Sequence, residues 1–142
     1  MTRSPGGKLY SPKFLALAVE LADYPHDAAA PLQGESRSRT CGSEILLSAG
    51  RDLRAIGLRV SACAVGQAAS AIFARHAAGS GEARLAEVAA QIEGWLGGDG
   101  RLPDWPEIEL LAPARAHPGR HGAILLPWRA ALDALGKAQA AR

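Results

Sequence analysis

Residues 56–79, IGLRVSACAVGQAASAIFARHAAG, change periodicity part-way through. Ile56, Leu58 and Val60 alternate with Gly57, Arg59 and Ser61, a period of two that predicts a strand. From Val65 onward Ala68, Ala69, Ile72, Phe73 and His76 recur at the spacing of one helix face. The strand therefore hands over to an amphipathic helix almost at once, and Cys63 occupies the joint. A helix N-terminus carries unpaired N–H groups and the positive end of the macrodipole, so a soft-metal ligand or a sulfur nucleophile is well placed there. The competing reading is a packed, inert thiol, since cysteine is among the most buried residue types and the neighbourhood is rich in alanine.

The flanking segments complete the architecture. Ser11 caps a first helix with Pro12 at its first position, an apolar stripe of Phe14, Leu17, Ala18 and Leu21, and Pro25 as its stop. Residues 26–34, rich in Ala and Pro, read as a loop. Two strands are expected at 35–40 and 44–49, pivoting on Cys41-Gly42, and Gly50-Arg51-Asp52 turns into a third at 55–62. Short connections between consecutive strands make an antiparallel meander.

The rest is helical. The 65–77 helix stops at Gly79, and a second, opened by Ser80-Gly81-Glu82, presents Leu85, Val88, Ala89, Ile92, Trp95 and Leu96 on one face. Residues 102–111 hold Pro103 and Pro106 and form at most a short helix anchored by Trp105. Residues 112–122 read as a loop containing His117, Arg120 and His121. A last helix from about Ile124 has Pro127 in its first turn and Trp128, Ala131, Leu132 and Leu135 inside. Strands followed by helices predict an α+β fold, a three-stranded antiparallel sheet with helices packed on one face. A single domain over residues 1–142 is expected, with 1–8 disordered. Its core should include Leu58, Val60, Ile72, Phe73, Ile92, Trp95, Leu96, Trp128 and Leu132.

Composition excludes several functions. A formal net charge of +2 is too small to indicate nucleic acid, and the clustered arginines, Arg37/Arg39 and Arg115/Arg120, read as solvated faces. No apolar run approaches the roughly 20 residues that cross a bilayer, and the start lacks a secretory apolar segment. The expected location is the cytoplasm, where Cys41 and Cys63 read as metal-binding, redox or inert thiols rather than a structural disulfide. Two thiolates alone cannot complete a tetrahedral metal site. No nucleophile–base or acid–base arrangement is visible, so an independent enzymatic reaction is not expected.

The order of features resembles a known family. Thr40-Cys41-Gly42, then Ser61-Ala62-Cys63 followed by Gln67-Ala68-Ala69-Ser70-Ala71, then Pro118-Gly119-Arg120 leading to Leu126-Pro127-Trp128 resemble the U-type iron–sulfur cluster assembly scaffolds IscU, SufU and the N-terminal domain of NifU. The resemblance spans about residues 9–136, and the long stretch after Cys63 is most similar to the SufU branch. It implies a scaffold that receives sulfur from a cysteine desulfurase and passes clusters to acceptor proteins, and it leaves a homodimer open. It also implies three cysteines and one aspartate as ligands to metal or a nascent cluster. The first two cysteines match Cys41 and Cys63. The aspartate falls on Ser43, a poor ligand, and the third cysteine on Ala123, which cannot ligate. His121 lies close to a ligand-competent position of the IscU branch, and Glu44 is expected to point away from the site. His76 reads as a core residue, and His26 and His117 as loop residues.

Three functions follow: a scaffold or carrier using Cys41 and Cys63 with His121, a degenerate relative that binds partners or regulates assembly without metal, and a thiol-redox protein. The last ordinarily shows a C-x-x-C arrangement, which is absent. Iron–sulfur cluster or zinc is the implied cargo, with a metal-free protein as the alternative.

Overall fold

The computed structural model describes residues 11–39 and 42–141. The expectation for residues 1–8, and those for Thr40 and Cys41, lie outside this range. Helix α1 (Pro12–Glu20) begins as its sequence dictates: Ser11 Oγ accepts the N–H of Phe14 at 3.4 Å, and Pro12 occupies the first position, where no N–H is needed. Phe14 and Leu17 are buried, and a single 3-10 turn, Leu21–Asp23, ends the helical run.

Three strands follow, β1 (Leu32–Arg37), β2 (Glu44–Ala49) and β3 (Gly57–Ser61), in the order β1-β2-β3 with both pairs antiparallel. The meander is as expected, but β1 starts earlier, within the expected loop. The reason is Gly34. A Cβ at this position would fall on the carbonyl of Ala130 and 2.8 Å from Ala134 Cβ. Glycine thus fills a buried strand position where the last helix crosses the sheet, which erases the apolar alternation. β3 also starts later than expected. Asp52, Leu53 and Ala55 all have positive φ (58°, 55° and 52°), so the turn continues through Ala55. Leu53 is fully buried, and Gly79 N–H donates to the Asp52 carbonyl at 2.7 Å, which pins this turn to the far end of the next helix.

Helices α2 (Ala64–His76) and α4 (His121–Ala140) pack against the sheet, and α3 (Glu82–Leu96) packs on α4. Between α3 and α4 the chain forms 3-10 segments, Ile108–Ala116 and Pro118–Arg120, in place of the expected loop. The second of these runs straight into α4. This explains why α4 starts at His121, ahead of the expected Ile124, and why Pro127 sits in the helix interior rather than the first turn. Pro127 supplies no N–H for the carbonyl of Ala123 four residues back.

The core forms where the helices meet. Phe73, Trp105 and Trp128 build an aromatic triad with ring centroids 5.4–5.6 Å apart, one pair stacked and two edge-on. Trp105 Nε1 donates to the Ile72 carbonyl at 3.2 Å. Trp128 is fully buried, and among the described residues its Nε1 has no acceptor. Ile72, Ile92, Trp95, Leu96 and Leu58 are buried as expected, whereas Val60 and Leu132 are only half-buried at the margin. His76 is not a core residue. It sits at the surface end of α2 with Nε2 2.8 Å from Glu107 Oε2, beside an Arg75 that bridges Glu20 and Glu107. Among the described residues no helix is long and apolar enough to cross a membrane.

Candidate thiol site at one end of the sheet

Strand register gathers three segments at one end of the sheet. Arg37 pairs with Glu44, and Glu44 with Ser61, so the β1–β2 connection and the β3–α2 joint lie side by side. The connection closes through Ser38 N–H to the Ser43 carbonyl (2.8 Å) and Gly42 N–H to the Ser38 carbonyl (3.1 Å). Gly42 takes a positive φ of 69° there. The third segment is the start of α4, which lies against the first turn of α2: a Cβ at Gly66 would come 3.1 Å from Ala123 Cβ and 2.7 Å from Ala62 Cβ. Only glycine at 66 lets the two helix starts approach this closely.

Cys63 is the N-cap residue of α2, extended at φ −67° and ψ 172°, half-buried, and its side chain caps no N–H of its own helix. The strand's end fixes its backbone. Gln67 N–H donates to the Cys63 carbonyl at 3.0 Å, and Gln67 Nε2 donates to the Ala62 carbonyl at 2.9 Å. The thiol thus stands at the positive end of a helix of 13 residues, as the change of periodicity predicts.

Ser43, just before β2, is buried, whereas Glu44, the first residue of β2, is exposed and its Oε2 pairs with Arg37 at 2.9 Å. Ala123 is fully buried against Gly66. His121, at the first position of α4, has Nε2 3.0 Å from the Arg115 carbonyl. A carbonyl only accepts, so Nε2 carries the proton of the neutral ring, and Nδ1 keeps the lone pair. Arg115 is no solvated cation. It donates to the carbonyls of Trp95 (2.9 Å) and Asp99 (3.0 Å) and stacks over the Trp95 ring at 5.0 Å, which fixes the carbonyl that orients His121. Cys41 lies outside the described residues.

Zinc or an iron–sulfur cluster takes four ligands, soft thiolates foremost. Of the four positions that the resemblance points to, the three described ones offer a thiol at Cys63, a hydroxyl at Ser43 and a methyl at Ala123. That is not a closed set. Among the described residues no three His, Cys, Asp or Glu side chains gather as a metal site.

Two features escape sequence reasoning. Gly66 reads as one more small residue in an alanine-rich helix, although it sets the approach of α4. Arg129 appears as a surface charge, although it falls on the same helical face as His121 and Leu125 and, with Arg37 and Arg39, borders a cleft. The readable signal was the i, i+4, i+8 spacing of 121, 125 and 129.

The same arrangement of sheet and helices occurs in solved structures. A nitrogen-fixing NifU-like protein (N-terminal) from Brucella abortus superposes with a TM-score of 0.82 at 23% identity, covering 98% of this chain and 100% of that one. This is the U-type scaffold fold. A candidate iron–sulfur cluster assembly scaffold protein for the SUF system (FiSufU), from Fervidobacterium islandicum AW-1, shares the U-type fold with a TM-score of 0.74 at 20% identity, over 89% of this chain and 96% of that one. No protein-family model and no curated protein matches the sequence.

Proposed function

We propose that this protein is a U-type scaffold-like carrier of iron–sulfur cluster assembly that accepts persulfide sulfur on Cys63 and, with Cys41, holds metal or a nascent cluster as cargo. The observation that carries this reading is Cys63 itself: a half-buried thiol at a helix N-terminus, at the end of the sheet where the β1–β2 connection and the start of α4 meet. The fold is that of a protein described as such a scaffold. The donor would be a cysteine desulfurase and the recipients cluster-accepting proteins, all in the cytoplasm, and the chain performs no turnover of its own.

Sulfur transfer at this position is simple chemistry. The Cys63 thiolate attacks the outer sulfur of a donor persulfide, the donor's sulfur–sulfur bond breaks, its cysteine leaves as a thiolate, and the new sulfur–sulfur bond rests on Cys63. Electrons balance without an added oxidant. In its neutral form His121, whose Nε2 faces the Arg115 carbonyl, has Nδ1 to accept a proton or to act as a further ligand.

Ser43 and Ala123 favour a second reading, a relative that retains the fold but holds no metal and works by binding partners. Anaerobic incubation with a cysteine desulfurase and cysteine separates the two. The carrier reading predicts sulfane sulfur on the protein that disappears in Cys63→Ser. Loading that is absent supports the second, and loading unchanged in Cys63→Ser overturns Cys63 as the acceptor.

A further inference from the structure

Beside the thiol end, Arg37, Ser38 and Arg39 on one side and Pro118, His121, Gly122, Leu125 and Arg129 on the other enclose an open cleft of about 470 Å³. Its lining has three guanidinium groups, one imidazole and one serine, and no carboxylate. It also receives the start of α4, a helix of 20 residues with no side-chain cap and no acidic residue in its first turn. Guanidinium forks and the positive end of a helix are complementary to phosphate or carboxylate oxygens. Leu125, nearly buried, gives the cleft an apolar side.

The arginines have donors to spare. Arg37 is paired with Glu44 through one nitrogen, and Arg129 with Glu93 through one nitrogen. Both pairs are exposed, where such contacts hold weakly, and each guanidinium has five N–H groups. Arg39 has no ion-pair partner among the described residues. The cleft has the size of a small-molecule site.

We propose that this cleft binds a small molecule bearing two or more oxyanion groups, phosphate or carboxylate, gripped by Arg37, Arg39 and Arg129 against the start of α4. Neither cysteine is needed for this binding, so it goes beyond the sulfur-carrier reading. An occupant would lie next to His121 and to Arg39, two residues before Cys41.

Calorimetric titration of the full chain with inorganic pyrophosphate and, separately, with citrate tests the proposal and tells phosphate from carboxylate. Saturable binding of at least one is expected, weakening as salt rises. Arg39→Gln, at an exposed position, should weaken it about tenfold, and Arg39→Gln with Arg129→Gln further, while Arg101→Gln leaves it unchanged. Thermal unfolding of the free variants shows that they are folded. Failure of both anions to bind, equal binding by all variants, or binding only of an acidic peptide overturns the proposal.

Discussion

Gly66 and Ala123 face each other across the first turns of α2 and α4, with room for no more than one methyl group between them. This contact holds the start of α4 against the helix that carries Cys63 at its N-cap. Gly66→Ala should therefore destabilise the protein, although alanine is the better helix former by about 1 kcal/mol. The added methyl meets Ala62 at 2.7 Å and Ala123 at 3.1 Å, and overpacking of this kind costs about 1–3 kcal/mol. A lowered urea midpoint checks this.

Trp128 closes the aromatic triad. Trp128→Ala should cost roughly 3–5 kcal/mol. Trp128→Phe should cost much less, because the indole N–H finds no acceptor among the described residues and its removal leaves no partner unsatisfied. Denaturant unfolding of the two variants separates ring packing from polar loss.

Acid should weaken the cluster around Arg75. The hydrogen bond from Arg75 holds the Glu20 carboxyl below its ordinary value of 4.5, and those from His76 and then Arg75 do the same for Glu107. A depressed folded-state pKa contributes stability that is fully present above the unfolded value and lost as pH falls through the folded one. Stability should accordingly decline below about pH 4.5, and Arg75→Gln should flatten that decline. Urea midpoints between neutral pH and acid measure it.

Much of this was legible in the sequence. The passage from period two to helical spacing at Cys63 located the strand–helix joint, because that alternation reports burial directly. The limits of β1 were not legible, because Gly34 carries no side chain to mark a buried position, and Ser36 is polar. The start of α4 was hidden because Pro118-Gly119-Arg120 reads as a breaker, yet forms a 3-10 turn continuous with the helix. His76 falls on the apolar stripe of its helix by spacing alone. Its pairing with Glu107, which stands at a positive φ of 69°, depends on a segment 31 residues away. The arginine cleft likewise arises only when the β1–β2 connection and α4 come together.

The two positions that depart from the ligand set of the U-type scaffolds that this chain resembles should be restorable. Ser43 and Ala123 are buried at the thiol end, Ala123 against the first turn of α2. Ser43→Asp with Ala123→Cys should raise zinc affinity by at least about 100-fold over the natural chain, since ligand number and charge set the affinity of a tetrahedral site. Competition with a chromophoric chelator reads this out, and equal affinities would mean that the two positions do not face a common site.

The central claim is that Cys63 is the sulfur acceptor, and the most direct measurement is site-resolved mass spectrometry after anaerobic incubation with a cysteine desulfurase and cysteine, followed by alkylation. The peptide containing Cys63 should gain one sulfur atom, Cys63→Ser should gain none at that peptide, and Cys41→Ser should still be loaded at Cys63. Sulfur found on Cys41 alone, or a Cys63 that stays an unmodified thiol while the desulfurase turns over, would contradict it.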